Sequence, residues 1–166
     1  MQFFYIISVV IHILAAAAWI GSGLFLAFIF FPLMRKPELK NQVLNILRQS
    51  GQRLRIFAWF AFLMLFLSGS FNVIHRYGIE AIATKGFWSS GTGFLLAIKL
   101  MLFLLIIIIS FYHDFIVGPK AAALSEAKPD STQVRKLRKR AAFCGVLNIL
   151  LGVIIIILAV MIVRGL

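Results

Sequence analysis

Four long apolar stretches, separated by two basic connections and one short polar connection, make up most of this chain. They run near residues 3–31, 56–75, 94–117 and 141–163, and each has the length of about 20 residues that a helix needs to cross a bilayer. In lipid such a run must be helical, because every backbone amide then finds its hydrogen-bond partner within the segment. The pattern predicts an all-α, polytopic membrane protein, an antiparallel bundle of four transmembrane helices that forms a single domain over residues 1–166.

The distribution of charge predicts an orientation for these helices. The chain has 17 Lys and Arg against 5 Asp and Glu, a net charge of +12. Six of the cations fall in the connection 32–55 and seven in the connection 118–140. By the positive-inside rule both basic connections are expected in the cytoplasm and both termini outside. Because topology and attraction to the anionic lipid bilayer account for these cations, no nucleic-acid partner is expected.

The number of cysteines excludes membrane thiol oxidoreductases, and the first apolar stretch does not have the features of a cleaved signal peptide. Cys144 is the only cysteine, so neither an intramolecular disulfide nor a CxxC redox motif is available. The first apolar stretch has no basic residue ahead of it and is about twice as long as the apolar region of a signal peptide. We therefore expect it to remain as the first span.

Proline and glycine positions predict where the helices end. Pro32 is expected to close the first helix, and the Gly-Pro pair at 118–119 to close the third. Within 38–52, apolar residues at helical spacing predict a short amphipathic helix at the inner membrane face, with a bend at Gly51. The Pro-Asp-Ser-Thr segment at 129–132 predicts a turn and an N-cap before the fourth helix.

Three ionisable side chains are predicted to lie at one depth near the outer face. His12, His75 and Lys99 are 23, 20 and 21 residues from the nearest basic residue at the inner end of their own helices. At 1.5 Å per residue these distances are all roughly 30–35 Å. Ser68, Asn72 and His75 also share one helical face. Polar groups are costly inside a membrane, so a functional site is expected here.

The first interpretation of this cluster is a haem centre. Imidazole is a ligand for iron, and two imidazoles on facing helices can bracket a haem. His12 and His75 would then be the axial ligands of haem b, and the cations Arg76 and Lys99 would lie near its propionates. No carboxylate belongs to the cluster, which disfavours calcium, magnesium and di-iron sites.

The second interpretation is a copper site. Copper is expected to recruit soft ligands in addition to imidazole, and the thioethers of Met101 and Met161 are available beside His12 and His75. A third interpretation assigns no ligand at all. Arg76 and His75 would then mark the helix end, Lys99 would extend to the headgroups, and His12 would only hydrogen-bond a neighbouring helix.

A second polar cluster is predicted near the inner face. It contains His113, Asp114, Cys144 and Asn148, at roughly 10–12 Å from the inner basic residues. It can be a second metal site, with His113 as a ligand, or a proton relay. The alternative is a set of polar groups at a helix end that pair with the basic connection. The depths of His12 and His113 differ by roughly 15–20 Å, so the two are not expected to share a ligand.

Short motifs in three of the helices resemble a known family. The first helix reads His12-Ile-Leu-Ala-Ala-Ala-Ala-Trp19-Ile-Gly21-Ser-Gly23 and resembles the His…Trp-x-Gly-Gly opening of copper-resistance protein D (CopD) domains. The Leu67-Ser68-Gly69 step resembles their Leu-Thr-Gly step. The third helix, with Lys99 followed by the segment 113–119, looks like theirs as well. CopD proteins are named for copper handling across the bacterial inner membrane.

The same features are similar to HemJ-type protoporphyrinogen oxidases, which are membrane enzymes that bind haem b. This chain departs from their pattern, because residues 23–32 lack the Pro-Arg-Leu-Phe segment expected there. Protoporphyrinogen oxidation is therefore disfavoured. The two resemblances imply family roles for His12, Lys99 and His113, whereas His75 matches no motif and rests on its depth alone.

These observations lead to a main prediction and two alternatives. The main prediction is a multi-pass protein of the bacterial inner membrane that holds haem b near its outer face. It would be an oxidoreductase that passes electrons between a membrane or periplasmic partner and a quinone-like acceptor. The alternative is copper binding and transport across that membrane, as in copper resistance. The further alternative is a structural subunit of a larger membrane complex or homo-oligomer.

Overall fold

The computed structural model describes residues 2–33, 36–127 and 131–165, and within them it contains helices and no strand. Four helical segments are long and apolar enough to cross a membrane, and each contains one of the predicted spans. They are Gln2–Leu33, Gln49–Tyr77, Gly91–Ser125 and Thr132–Arg164. The prediction of an all-α, polytopic membrane protein with four spans is thereby confirmed.

The described part of the chain contains eight α-helices and two π-helical segments, of which α4 and α5 lie between the second and third spans. The α-helices are α1 Gln2–Phe25, α2 Phe31–Leu33, α3 Pro37–Tyr77, α4 Ile79–Ile82, α5 Lys85–Ser89, α6 Gly91–Phe111, α7 Gly118–Ala127 and α8 Thr132–Arg164. The π-helical segments are Leu26–Phe30 and Tyr112–Val117. The chain divides into two compact units, which are Met1–Ile98 with Met161–Leu166, and Lys99–Val160.

In the first unit, α1 packs antiparallel along α3. Three contacts define the register, because the two residue numbers of each pair add to 80 or 81. The pairs are Tyr5 with His75, His12 with Ser68, and Trp19 with Phe62. A constant sum over 14 residues of α1 means that the two helices stay in contact over about four turns.

Helix α3 is a single helix of 41 residues, so the predicted bend at Gly51 is wrong. Pro37 stands at its first turn, where a missing N–H costs nothing, and Glu38 follows in the same turn. The helix ends at Gly78, whose φ of 78° is the left-handed conformation that glycine tolerates. The amphipathic segment therefore continues directly into the second span.

The first helix ends near Pro32 as predicted, since its described part stops at Leu33 and Lys36 is extended, whereas Pro119 does not end the third helix. Helix continues through Pro32 to Leu33, and through Pro119 to Ala127. Each proline follows a π-helical segment by two residues. A proline ring clashes with the carbonyl four residues back, and that carbonyl lies in the wider π turn in both cases. The wider turns accommodate both prolines in helices that remain long enough to span.

The connection after α3 is held by its own polar groups. The indole Nε1–H of Trp88 donates to the carbonyl of Ile82 at 2.8 Å, so Trp88 ties the connection together. The Thr84 hydroxyl oxygen accepts from the Phe87 amide and caps α5. Ser90 Oγ accepts in turn from the Gly93 amide at 3.1 Å in the first turn of α6. The backbone of Phe87 and Trp88 lies so close to Gly93 that a larger residue does not fit at this position.

In the second unit, a polar contact joins the third and fourth spans. The Asn148 side-chain amide donates to the Ser110 hydroxyl at 2.9 Å, and Ser110 is buried. The largest fully buried side chains among the described residues, Ile106, Val117 and Val134, belong to the same unit. The predicted N-cap of the fourth helix is confirmed at Ser131, whose hydroxyl accepts from the Val134 amide. The Pro129-Asp130 part of that predicted turn lies outside the described residues.

Gly93→Ala is expected to destabilise the protein. A Cβ there would overlap the carbonyl oxygen of Phe87, and backbone atoms cannot rotate away as a side chain can. Forced overpacking of this kind typically costs about 1–3 kcal/mol of unfolding free energy. Thermal unfolding in detergent, followed by tryptophan fluorescence, measures the loss.

Gly91→Ala is the matched control, because a Cβ at that position meets nothing within 4 Å. Both substitutions place alanine in the first turn of α6, so they share the same change in helix propensity. Equal melting temperatures for the two variants would contradict the close approach at Gly93.

Candidate functional site

A line of polar groups crosses the otherwise apolar contact between α1 and α3. His12 Nδ1 lies 2.9 Å from the Ser68 hydroxyl, and the Ser8 hydroxyl donates to the Ser68 carbonyl at 3.3 Å. Ser68 is buried, with 6% of its surface exposed, and His12 is half-buried. In a membrane, polar groups that bond across helices replace water as partners, so these contacts fix α1 against α3.

The hydrogen bonds of Ser68 determine which nitrogen of His12 carries the proton. The Ser68 hydroxyl donates its single hydrogen to the carbonyl of Met64, 2.5 Å away. Toward His12 it can only accept, so in neutral His12 the proton is on Nδ1. Nε2 then carries the lone pair that a metal ion requires. A histidine that binds a metal through one ring nitrogen usually donates the N–H of the other to a neighbouring acceptor, which fixes the orientation of the ring.

Gly69 allows the imidazole of His12 to approach α3. A Cβ at Gly69 would lie 3.0 Å from Cε1 and 3.5 Å from Nδ1 of His12. Any side chain at this position would push the ring outward by a few tenths of an ångström. The sequence resemblance singled out Leu67-Ser68-Gly69 without saying what it contacts, and the structure places its serine and glycine against His12.

Asn72 extends the same polar line by one turn of α3. It follows Ser68 by four residues and therefore shares its face. Its Oδ1 atom is buried and has no hydrogen-bond partner among the described residues. Leaving a buried polar atom without a partner costs free energy, so Oδ1 is available to a cation, a bound water or another donor.

His75 does not lie level with His12 in the helix pair. Its ring stacks on Tyr5, with centroids 4.4 Å apart and planes at 12°, and it is exposed on the other side. Because Ser68 is level with His12, His75 lies seven residues further along α3, or about 10 Å. The equal-depth estimate is corrected accordingly. It used Arg55 as the inner end of the second helix, but α3 begins at Pro37 and runs straight through.

The other residues predicted for the site are distributed over both units. Arg76 lies beside His75 with its guanidinium 5.4 Å from the Tyr77 ring centre, and Met161 belongs to the first unit. Lys99 and Met101 belong to the second unit, where Lys99 is half-buried and Met101 is 71% exposed. Among the described residues, no three or more His, Cys, Asp or Glu form a metal-binding group.

His113 and Asp114 form a pair of their own in the second unit. His113 Nδ1 lies 2.7 Å from the Asp114 carboxylate. Both residues stand in the π-helical segment Tyr112–Val117, where the wider turn brings two neighbouring side chains together. The structure therefore gives His113 a local acidic partner. Its role as a metal ligand stays a prediction.

Comparison with known proteins gives one family and one relative. The model of the family CopD, described as copper resistance protein D, matches residues 48–162. The match includes Ser68, Gly69 and Asn72 and begins after the first span, so it does not include His12. An uncharacterized protein of Aquifex aeolicus (strain VF5) is 30% identical over 156 residues, which are 93% of this chain and 92% of that protein. No solved structure matches significantly.

The proton on His12 Nδ1 can be tested by nitrogen NMR. With only three histidines in the chain, ¹⁵N-histidine labelling gives few signals, and His12→Ala identifies those of His12. We expect His12 as the Nδ1–H form, and a mixture of both neutral forms in Ser68→Ala, because the acceptor is then gone. Membrane hydrogen bonds between helices average about 0.6 kcal/mol, so this variant should still fold.

The His113 signals are the internal control, since the Asp114 carboxylate holds that ring in the second unit. They should not change in Ser68→Ala. An unchanged His12 spectrum in Ser68→Ala would show that Ser68 does not set the tautomer.

Proposed function

The chain belongs to the copper resistance protein D family, and from this premise we propose that it binds copper between α1 and α3 and passes it across the membrane. The family points to copper and gives no support to haem b. Four spans and a basic charge concentrated in two connections support a multi-pass protein of a bacterial inner membrane. In this proposal both basic connections face the cytoplasm and both termini face outside.

The observation that carries the proposal is the pairing of His12 with Ser68. An imidazole is a good copper ligand, and its orientation by a second group commonly raises metal affinity. Ser68 supplies that second group at 2.9 Å, and in the tautomer that it favours, Nε2 is the nitrogen with ligand chemistry. The match to the family includes Ser68 and Gly69, so the part of α3 that holds His12 is the part shared with copper resistance proteins.

Asn72 supports the same location. Its buried Oδ1 is a carbonyl-type oxygen within one turn of Ser68, and it has no protein partner among the described residues. A copper ion or a water bound to it would satisfy this oxygen. Met161 is the soft ligand proposed from the sequence that shares the first unit with His12. Met101 is retained as a proposed ligand on sequence grounds alone. His75 lies about 10 Å from His12 along the helix pair, so it is not proposed to bind the same ion.

The structure favours copper over the haem interpretation for a geometric reason. Two axial imidazoles bind one iron from opposite sides, which places their ligating nitrogens only about 4 Å apart when each bond is near 2 Å. In this pair the register separates His12 from His75 by about 10 Å along the helices. Membrane electron transfer to a quinone-like acceptor accordingly receives no support from the helix pair.

Copper binding can be measured directly on the full chain. The purified protein in detergent is titrated with Cu(I) against a chromogenic chelator, and we expect it to withdraw copper. Loss of a group that hydrogen-bonds to a metal ligand typically lowers metal affinity by roughly 10- to 100-fold. His12→Ala removes the ligand itself, so we expect copper affinity to fall by at least about 100-fold. His113→Ala, in the other unit, should bind as the unmodified protein does.

Two results would overturn the proposal. One is unchanged copper affinity in His12→Ala, which would place copper elsewhere or nowhere. The other is a red, copper-free protein with a Soret band that shifts on dithionite reduction. That result would restore haem b as the cofactor.

Gly69→Ala tests the position of the imidazole more finely. The added methyl group meets His12 Cε1 at 3.0 Å, so the ring must move away from Ser68. We expect copper affinity to fall by about tenfold, because the hydrogen bond between Ser68 and His12 is weakened and not removed. The same Cu(I) competition measures it.

Gly51→Ala on the same helix is the matched control, because a Cβ there meets nothing within 4 Å. Both variants gain the same helix propensity, up to about 1 kcal/mol. Equal copper affinities in the two variants would mean that the contact between Gly69 and His12 does not position a ligand.

A further inference from the structure

The second unit carries an open groove between its two long helices. It has a volume of about 550 Å³ and is lined from the third span by Ile108, Ile109 and Tyr112. From α8 it is lined mainly by Phe143 and Leu147, and at one end by Lys139 and Arg140. Small-molecule sites in proteins are of similar size, roughly 300–1,000 Å³. The groove is apolar along most of its length and basic at one end.

The position of the two cations along α8 defines how the groove meets the membrane. Lys139 and Arg140 directly precede the apolar part of the fourth span, which begins at Ala141. Leu147 lies about two turns further on, roughly 10 Å into the apolar region. A ligand in this groove therefore has its charged end among headgroups and its apolar end in hydrocarbon.

The charges at the basic end are available. Lys139 and Arg140 are both exposed, and neither forms an ion pair with another described residue. No residue that lines the groove is acidic. The neighbouring Arg138 differs, because its guanidinium donates to the Ser125 hydroxyl at 3.3 Å. An anion with oxygen acceptors is the complement of a free guanidinium beside an ammonium group.

We propose that this groove is a binding site for one anionic phospholipid. The phosphate lies between Lys139 and Arg140, and an acyl chain lies along Ile108, Ile109 and Leu147. Basic pockets between transmembrane helices bind anionic headgroups by the same combination of charges and apolar walls. A free phosphate would use only the basic end, and a neutral isoprenoid such as a quinone would use only the walls.

General attraction of a basic surface for an anionic membrane is a different effect, and α8 offers a control for it. Arg135 and Lys136 are also exposed, one turn earlier on the same helix, but they do not line the groove. Attraction that depends only on charge treats both pairs of cations alike. A site requires Lys139 and Arg140 in particular, together with the apolar wall beside them.

The test uses the full-length, metal-free protein in detergent, to which phosphatidylglycerol or phosphatidylcholine is added. Native mass spectrometry counts bound lipid, and the dependence on lipid concentration gives the affinity. We expect one phosphatidylglycerol to bind at least about tenfold more tightly than phosphatidylcholine, since two favourable charges are involved. The double variant Lys139→Gln, Arg140→Gln should lose this preference, and the double variant Arg135→Gln, Lys136→Gln should keep it.

A second pair of variants tests the apolar wall. Leu147→Trp fills the groove without changing its charge, and Val146→Trp adds the same side chain at an exposed neighbouring position. Phosphatidylglycerol binding should fall about tenfold in the first variant and stay unchanged in the second. Thermal unfolding in detergent confirms that all four variants are folded.

Several outcomes would overturn the proposal. Equal losses in the two glutamine double variants would show attraction to charge only, and displacement of the lipid by glycerol phosphate at similar concentration would show a phosphate site only. If both tryptophan variants bind phosphatidylglycerol as the unmodified protein does, no acyl chain enters the groove. Tighter binding of a neutral quinone than of phosphatidylglycerol would assign the groove to an isoprenoid. None of these results bears on copper, because the protein is metal-free.

Discussion

The hydrogen bonds of Ser68 are the interaction on which the first unit depends. One buried hydroxyl accepts from His12 and donates to the Met64 carbonyl, while the Ser68 carbonyl accepts from Ser8. In hydrocarbon no water can replace these partners, so a slip of α1 by one residue would leave several polar groups without any. The same bonds that align the helices also direct the proton of His12 to Nδ1. The same contacts therefore set both the alignment of the helix pair and the tautomer of His12.

Backbone hydrogen bonding imposes a second constraint, visible at the prolines. Pro32 and Pro119 each lack an N–H, yet both lie within helices, because a π-helical segment precedes each of them. The wide turn at Tyr112–Val117 also brings His113 against Asp114. Irregular turns inside membrane helices often occur where function requires a particular side-chain position. The pair His113–Asp114 is placed by such a turn.

The two proposed sites use polar residues in opposite ways. At the helix pair of the first unit the polar groups are turned inward, and the hydrogen bonds of Ser68 orient the imidazole of His12 that we propose as a copper ligand. At the groove of the second unit, Lys139 and Arg140 are turned outward at the end of an apolar wall. An imidazole between two helices suits a metal ion that has lost its water shell. Cations exposed at the membrane surface suit a lipid headgroup that stays hydrated.

The sequence by itself determined the fold class, the four spans and the family likeness, because apolar runs of bilayer length allow no other secondary structure. It also indicated the N-cap at Ser131 and the shared face of Ser68 and Asn72. Only the tertiary structure decided the register of α1 on α3. Counting residues from basic clusters assumed that each helix starts at the same level, whereas α3 begins well before its apolar part. Side-chain contacts between distant segments set that register, and no local pattern in the chain encodes them.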